Sequence, residues 1–237
     1  MNLEAELYRA FDSDPAPIVE FLQWLVHANG LPTRPHILDV GCGPGRLLKP
    51  LAKLGWHITA YEPNDAYFAR ALEEVRSTED VLVEQAGFNN ILAVDAYDLI
   101  CGINSSFAHV LTPTLRADAF ERAFRALHPG GLLFLDLPNL LRILKEYARP
   151  GEQTVNFGGR PVRLIRRHGI DYHRAVFMTH EEYTYTDEQG KEHMFHKEHP
   201  YAIVSFPELS YSLGIAGFDS IKTYGSYSAR ADQAIGS

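Results

Sequence analysis

Three glycines at alternate positions, Gly41, Gly43 and Gly45, sit in the run Ile37-Leu38-Asp39-Val40-Gly41-Cys42-Gly43-Pro44-Gly45-Arg46. Glycine has no Cβ and tolerates positive φ, so three in one tight turn let backbone lie against a ligand. The apolar run before them reads as a short buried strand. The residues after them read as a helix whose first N–H groups are unpaired. A carboxylate then ends the next expected strand: Glu62 in Trp56-His57-Ile58-Thr59-Ala60-Tyr61-Glu62-Pro63. In α/β nucleotide sites a carboxylate there holds a ribose diol. The other reading of Glu62 is a charge at a helix N-terminus, before Asn64. The chemistry indicated is the holding of a nucleotide-like cofactor. The dinucleotide fingerprint G-x-G-x-x-G does not fit. Its third glycine would fall on Arg46 in one frame and on Leu48 in the other. No G-K-[ST] follows, so a P-loop is excluded too.

A second polar group, Asn104, Ser105, Ser106 and His109, follows the apolar run Tyr97-Asp98-Leu99-Ile100-Cys101. Near a reacting centre His109 could accept a proton from an amine or hydroxyl. A partly buried helix histidine is the alternative. His193, His196 and His199 have a suggestive spacing. On a strand, residues three apart point to opposite faces, so the three cannot share one metal. No metal site is expected. Cys42 and Cys101 lack the spacing of a zinc site. Two cysteines make no disulfide framework, which points to a reducing cytoplasm.

These residues need elements to hold them. From His36 onward strands and helices alternate: strand 36–40, helix 44–54, strand 56–61, helix 64–76, strand 81–85, strand 97–102, helix 114–127 and strand 131–136. That order implies an α/β, doubly wound, Rossmann-like parallel sheet with right-handed crossovers. Ligands of such sheets bind beyond the carboxyl ends of the strands. The glycine turn, Glu62 and the residues from Cys101 to Ser106 all fall on that edge. Ahead of the sheet, Asp14 reads as a helix cap with Pro15 in the first turn, and Ile18, Phe21, Leu22, Leu25 and Val26 recur at helical spacing. After Asp136 the pattern changes. A helix to about residue 148 gives way to strands 153–157, 161–168, 172–186 and 191–204. Turns are expected at Gly158-Gly159, at His168-Gly169-Ile170-Asp171 and at Asp187-Glu188-Gln189-Gly190. This is an antiparallel β insertion between the fifth and sixth core strands. A helix from Pro207 to about Ile215 and a strand from Phe218 to Tyr224 return to the core. The divisions expected are a helical cap at 1–35, a cofactor-binding core at 36–143, a β lid at 144–204 and a return to the core at 205–237.

The D-x-G-x-G-x-G spacing from Asp39 to Gly45 resembles motif I of the class I S-adenosylmethionine (SAM)-dependent methyltransferases. Glu62, the strand Tyr97–Cys101, the lead-in Leu127-His128-Pro129-Gly130-Gly131 and the segment Phe206-Pro207-Glu208-Leu209 through Ala216-Gly217-Phe218 occur in the matching order. The β insertion is similar to that of small-molecule enzymes of the glycine/sarcosine and amino-sugar N-methyltransferase type. The resemblance implies SAM as cofactor and S-adenosyl-L-homocysteine as product. It places Gly41, Cys42, Gly43 and Gly45 against the methionine part and Asp39 near its ammonium, unless Asp39 only anchors the loop. Glu62 with Pro63 and Asn64 would hold the ribose. Cys101 lies at the same edge. Relatives often carry a carboxylate after the third strand; here Gln85-Ala86-Gly87-Phe88-Asn89 has none. Adenine would then rest on backbone, on Phe88 or on Asn89. The acceptor would meet Asn104, Ser105, Ser106 and His109, with Tyr8 of the N-terminal helix shaping the pocket. The seventh, antiparallel strand of relatives has little signal after Tyr224.

The activity implied is methyl transfer to nitrogen or oxygen of a small molecule. The alternatives are a SAM-fold binding or regulatory protein without catalysis, and methylation of a protein or peptide. The chain has 237 residues and a net charge of −8, which argues against a nucleic-acid substrate. Arg160, Arg163, Arg166, Arg167 and Arg174 read as a solvated sheet surface. No apolar run nears the about 20 residues that span a membrane. The N-terminus does not read as a signal peptide. A cytoplasmic enzyme is expected, with a homodimer through the β insertion as the one protein partner considered.

Overall fold

The computed structural model describes residues 14–143, 150–187 and 189–228. Five parallel strands form the core: β1 (His36–Val40), β2 (His57–Tyr61), β3 (Val81–Glu84), β4 (Tyr97–Gly102) and β5 (Leu127–Leu135). Their order is β3-β2-β1-β4-β5. The chain winds outward from β1 through β2 to β3, then crosses back to lay β4 on the other side of β1. The strand order therefore reverses between β1 and β4. A crevice opens at such a reversal because the connections leave in opposite directions.

Both faces of the sheet are covered, which explains why β1 and β4 read as continuous apolar runs. Ile37, Leu99 and Cys101 pack with α1 (Ala16–Ala28), α2 (Leu48–Ala52) and α3 (Asp65–Val75). Leu38, Val40 and Ile100 point the other way. They pack with Phe120 and Ala123 of α4 (Pro113–Ala126) and with Leu213 of α6 (Phe206–Ala216). In α1 the buried residues are the five expected from helical spacing, and Asp14 accepts the Ala16 N–H at 3.0 Å. Between the core and α6 lie α5 (Leu140–Ile143) and a four-stranded antiparallel meander, β6 (Gly151–Phe157), β7 (Arg160–Asp171), β8 (Val176–Thr186) and β9 (Glu192–Ala202).

Three expectations need correction. The helix after the glycine turn begins at Leu48, so residues 44–47 are turns and no helix N-terminus abuts the glycines. The second meander turn is at residues 172–175, because His168 to Asp171 stay paired with Thr179 to Val176. A lone Gly169 is tolerated within a strand. Asp171 instead makes the turn that follows, accepting the N–H groups of His173 and Arg174. Residues 218–224 carry no strand assignment, so the sixth core strand is not formed among the described residues. Tyr224 instead packs edge-on against Phe21 and Trp24 of α1. The tail beyond Ser228 lies outside the described residues.

Gly217 ends α6 at φ +109°, where an added Cβ would lie 2.7 Å from Phe124 Cζ of α4. Gly217→Ala combines a left-handed penalty of about 1–2 kcal/mol with that contact. Urea unfolding should show a loss of at least that size; an unchanged midpoint would contradict the packing of α6 on α4.

Candidate active site

The end of β1 meets the end of β4 with almost no space between them. A Cβ on Gly41 would sit 2.5 Å from Ser106 Cβ, and Gly41 has φ +79°. Ser106 Oγ donates to the Val40 carbonyl at 2.8 Å, across that contact. Gly41 is thus required by the protein's own packing as well as by any ligand. Gly43, at φ +57°, differs: an added Cβ there would meet nothing within 4 Å. Its bare backbone faces the cavity.

Glu62 ties the glycine turn to the next helix. Oε2 accepts the Gly43 N–H and Oε1 accepts the Asn64 N–H, both at 2.8 Å. Each oxygen keeps a lone pair for a further donor. Asn64 caps α3, its Oδ1 accepting from the Ala66 and Tyr67 N–H groups. On the β4 side, Asn104 and Ser105 both adopt left-handed backbone, at φ +55° and +67°. Asp136 holds that turn, with Oδ2 taking the Asn104 N–H and the main-chain carbonyl taking the Ser105 N–H. Tyr227 from the tail donates to the same Oδ2 at 2.6 Å.

The electrostatics are dominated by burial. Asp39 is 1% exposed. Desolvation pushes its carboxyl up to about 7, against a lowering by the Cys101 thiol; the nearby Glu62 charge adds to the rise. Desolvation also raises Glu62, against its two backbone hydrogen bonds. The Cys42 and Cys101 thiols are pushed well up by burial and by Asp39, so neither is a nucleophile near neutral pH. A cation brought here would be attracted by charge that water does not screen.

One cavity of about 840 Å³ joins this edge to the meander. Its core wall includes Gly41, Gly43, Glu62, Pro63 and Asn64, then Ile103 to Ser106 and His109. Its other wall comes from one face of the meander. Side chains alternate across a strand, so Arg166 and His168 of β7, Phe177, Thr179, Glu181 and Tyr183 of β8, and Lys197, His199 and Tyr201 of β9 share that face. Glu181 organises it. Its carboxylate accepts from Arg166 Nε at 2.7 Å, Tyr183 Oη at 2.7 Å and His199 Nε2 at 3.2 Å. Burial alone would raise Glu181, but the hydrogen bonds from His199, Tyr183 and Arg166 outweigh it and hold the carboxyl at about 2. Lys197 Nζ donates to Tyr67 Oη of α3 at 2.7 Å, bridging the walls. His109 stands opposite, its ring 4.7 Å from Tyr201 and 6.3 Å from His199. Desolvation and His199 lower its pKa, while a bond to the Pro200 carbonyl works the other way.

The structure brings Gly41, Gly43, Glu62, Pro63, Asn64, Asn104, Ser105, Ser106 and His109 to one cavity. Asp39 and Cys42 line a small recess beside it. Four candidates do not line either space. Gly45 packs on Ala71 of α3, a Cβ there lying 3.3 Å from Ala71 Cα. Phe88 is a core residue, edge-on to Phe107. Asn89 turns to α4, donating to the Leu115 carbonyl and Asp118. Cys101 is buried beneath Asp39, its thiol 3.8 Å from Oδ1. Tyr8 lies outside the described residues. Arg163 and Arg167 pair with Glu152 and Glu182, whereas Arg166 belongs to the cavity. Sequence reasoning missed the meander wall. Its signal was the parity of the polar and aromatic residues on β7, β8 and β9, legible only once the cavity-facing side is known.

Comparison with known proteins agrees with this geometry. Residues 37–131 match the family model described as a methyltransferase domain. A ubiquinone biosynthesis O-methyltransferase of Methylocella silvestris is 34% identical over 118 residues, covering 47% of this chain and 42% of that protein. The chain spans about half the length of the curated relatives it matches. Among solved structures, Streptomyces venezuelae DesVI superposes with a TM-score of 0.82 at 18% identity, over 94% of this chain and 91% of that one. SAM-bound CalS10, an amino pentose methyltransferase of Micromonospora echinaspora, superposes at 0.78 with 19% identity, over 95% and 92%. At such identities these likenesses establish the fold: a Rossmann-like methyltransferase core bearing a separate antiparallel sheet.

The raised Asp39 carboxyl has a consequence for stability. Unfolded, Asp39 ionises near its ordinary value of about 3.9; folded, it keeps its proton to about 7. The native state binds the extra proton between these values, so stability falls as pH rises through that window and levels off above it. The loss for one such group is up to about 4 kcal/mol. Asp39→Asn should flatten that decline, making the ligand-free variant more stable than wild type at pH 8 relative to pH 4. Denaturation curves with the same pH slope in both proteins would contradict the burial of this charge.

Proposed function

We infer that the chain is a class I SAM-dependent methyltransferase that moves a methyl group to nitrogen or oxygen of a small-molecule acceptor. The observation carrying this reading is the single cavity that runs from the Gly43–Glu62 cradle to the polar face of the meander. Volumes of this order accommodate small ligands, and here the two walls differ in chemistry.

The core wall fits SAM. Gly43 presents backbone with no side chain between it and the cavity. Glu62 has a spare lone pair on each oxygen for a diol, and Asp39 with Glu62 supplies negative charge for a ligand carrying an ammonium and a sulfonium. SAM when bound supplies an already activated methyl group. The protein's part is then to hold, orient and exclude water. His109, kept neutral by its surroundings, can take a proton from the acceptor. The relative acting in ubiquinone biosynthesis is an O-methyltransferase by name, and a further structural neighbour, KedS8 of Streptoalloteichus, is named a sugar N-methyltransferase, so both acceptor atoms have precedents.

Two finer readings accompany this one. We place the protein in the cytoplasm, on the two free cysteines. We assign a homodimer to the meander, whose outer face carries Arg163, Arg167, His180 and Glu182 rather than core residues.

Titration calorimetry with SAM should show binding near one molecule per chain, and Glu62→Ala should weaken it by at least about tenfold, since hydrogen bonds to a charged group contribute about 1.5–3 kcal/mol. Absence of heat with the wild-type protein would sink the reading.

A further inference from the structure

Strand β9 meets the core near its end and again further back. Tyr201, next to the last residue of the strand, lies 4.7 Å ring to ring from His109, close to where the chain leaves for α6. Lys197 comes earlier on the strand, about 13 Å away at the rise of an extended chain. Its Nζ donates to Tyr67 Oη at 2.7 Å, and lies 5.0 Å from the Tyr67 ring centre and 5.8 Å from that of Tyr183. Tyr67 belongs to the cofactor side: Asn64 accepts the Tyr67 N–H, and Glu62 accepts the Asn64 N–H. Lys197 belongs to the meander wall, in one cross-strand row with Arg166 and Glu181. All of these residues line the same cavity, so the ammonium joins its two walls on the Glu62 side. Lys197 and Tyr67 are both half-buried. Lysine is a strongly hydrated point charge on a flexible stem, so water can replace Tyr67 as its partner.

Resting on the SAM-dependent reading above, we propose that Lys197 and Tyr67 form a clasp on the meander, a gate that slows both entry and release of SAM and S-adenosyl-L-homocysteine at the Glu62 cradle. With the clasp made, the meander wall is fixed over a ligand seated on Glu62. With it broken, this stretch of β9 can lift while Tyr201, beside the covalent connection to α6, keeps its place on His109. Opening costs one hydrogen bond from a charged group and the contact of that charge with two rings. Steps of this kind set release rates in enzymes whose lids cover the site. Lys197 is a positioning residue: it acts on the cofactor through the sheet that carries it, away from the reacting atoms.

The test reads exchange of the cofactor in both directions. A gate slows entry and exit together, whereas loss of a ligand contact raises exit alone. Radiolabelled SAM is bound to the full chain and chased with excess unlabelled S-adenosyl-L-homocysteine to give the exit rate; rapid mixing gives the entry rate. Lys197→Met should raise both rates by about tenfold, the fold-change expected for a lost hydrogen bond from a charged group, and change Kd by less than about threefold. Tyr67→Phe keeps the ring beneath the ammonium and should raise both rates by less, about threefold. Lys197→Arg keeps a charged donor and should exchange as slowly as wild type. Wild-type rates in Lys197→Met, or faster exit with unchanged entry, would overturn the proposal. If Lys197→Met fails to fold, Tyr67→Phe decides by the same criterion. Failure of the cofactor reading is distinct: the wild-type protein then retains no labelled SAM and calorimetry shows no heat.

Discussion

Two carboxylates, Asp39 and Glu62, are taken out of water side by side at the end of the sheet, and the site is arranged around that cost. Burial raises both pKa values, which states the cost in chemical terms. The backbone that buries them is held by short contacts: Gly41 against Ser106, the Val40 carbonyl accepting from Ser106, and Glu62 bridging Gly43 and Asn64. The contacts join the ends of β1, β2 and β4, which are neighbours in the strand order. A cationic ligand placed there regains what desolvation took away.

The opposite wall follows a different logic. On the meander the charged groups are already engaged by neighbours: Glu181 is hydrogen-bonded to Arg166, Tyr183 and His199, and Lys197 donates to Tyr67. A wall of satisfied groups discriminates by hydrogen-bond direction more than by net charge. The cavity therefore has a cation-seeking half built on rigid strand ends and a half of mutually hydrogen-bonded polar side chains built on a sheet that is attached only after β5. One half is suited to an invariant cofactor and the other to a variable acceptor. The fold permits this division without dictating the acceptor.

The sequence made the first half legible and left most of the second unread. β1 and β4 announce themselves as apolar runs because helices cover both faces, and Glu62 is marked by its place after β2. Local spacing does not show which neighbour each glycine accommodates. Gly45 looks like Gly41 and Gly43 on paper, yet its freedom serves the approach of Ala71. Phe88 and Asn89 follow β3 as adenine-binding residues would, but Phe88 fills the core and Asn89 is engaged by α4. Those partners lie 19 or more positions away along the chain, where no periodicity points. In the meander, alternation shows that residues of equal parity share a face without saying which face is inward. His199 was weighed only as a metal ligand beside His193 and His196, and its partner Glu181, on the neighbouring strand, is invisible to spacing within β9. The turn at residues 172–175 shows the same limit: Gly169 marks flexibility, while pairing to β8 decides where the strand stops.

A cationic cofactor seated beside Asp39 would offset the burial of its carboxylate. The most direct measurement is calorimetric titration of SAM near pH 6 in two buffers of different ionisation enthalpy. With Asp39 holding its proton to about 7 in the free protein, binding should release a proton to the buffer, and the apparent enthalpy should differ between buffers. The difference should vanish in Asp39→Asn. Buffer-independent binding by the wild-type protein at that pH would contradict the account.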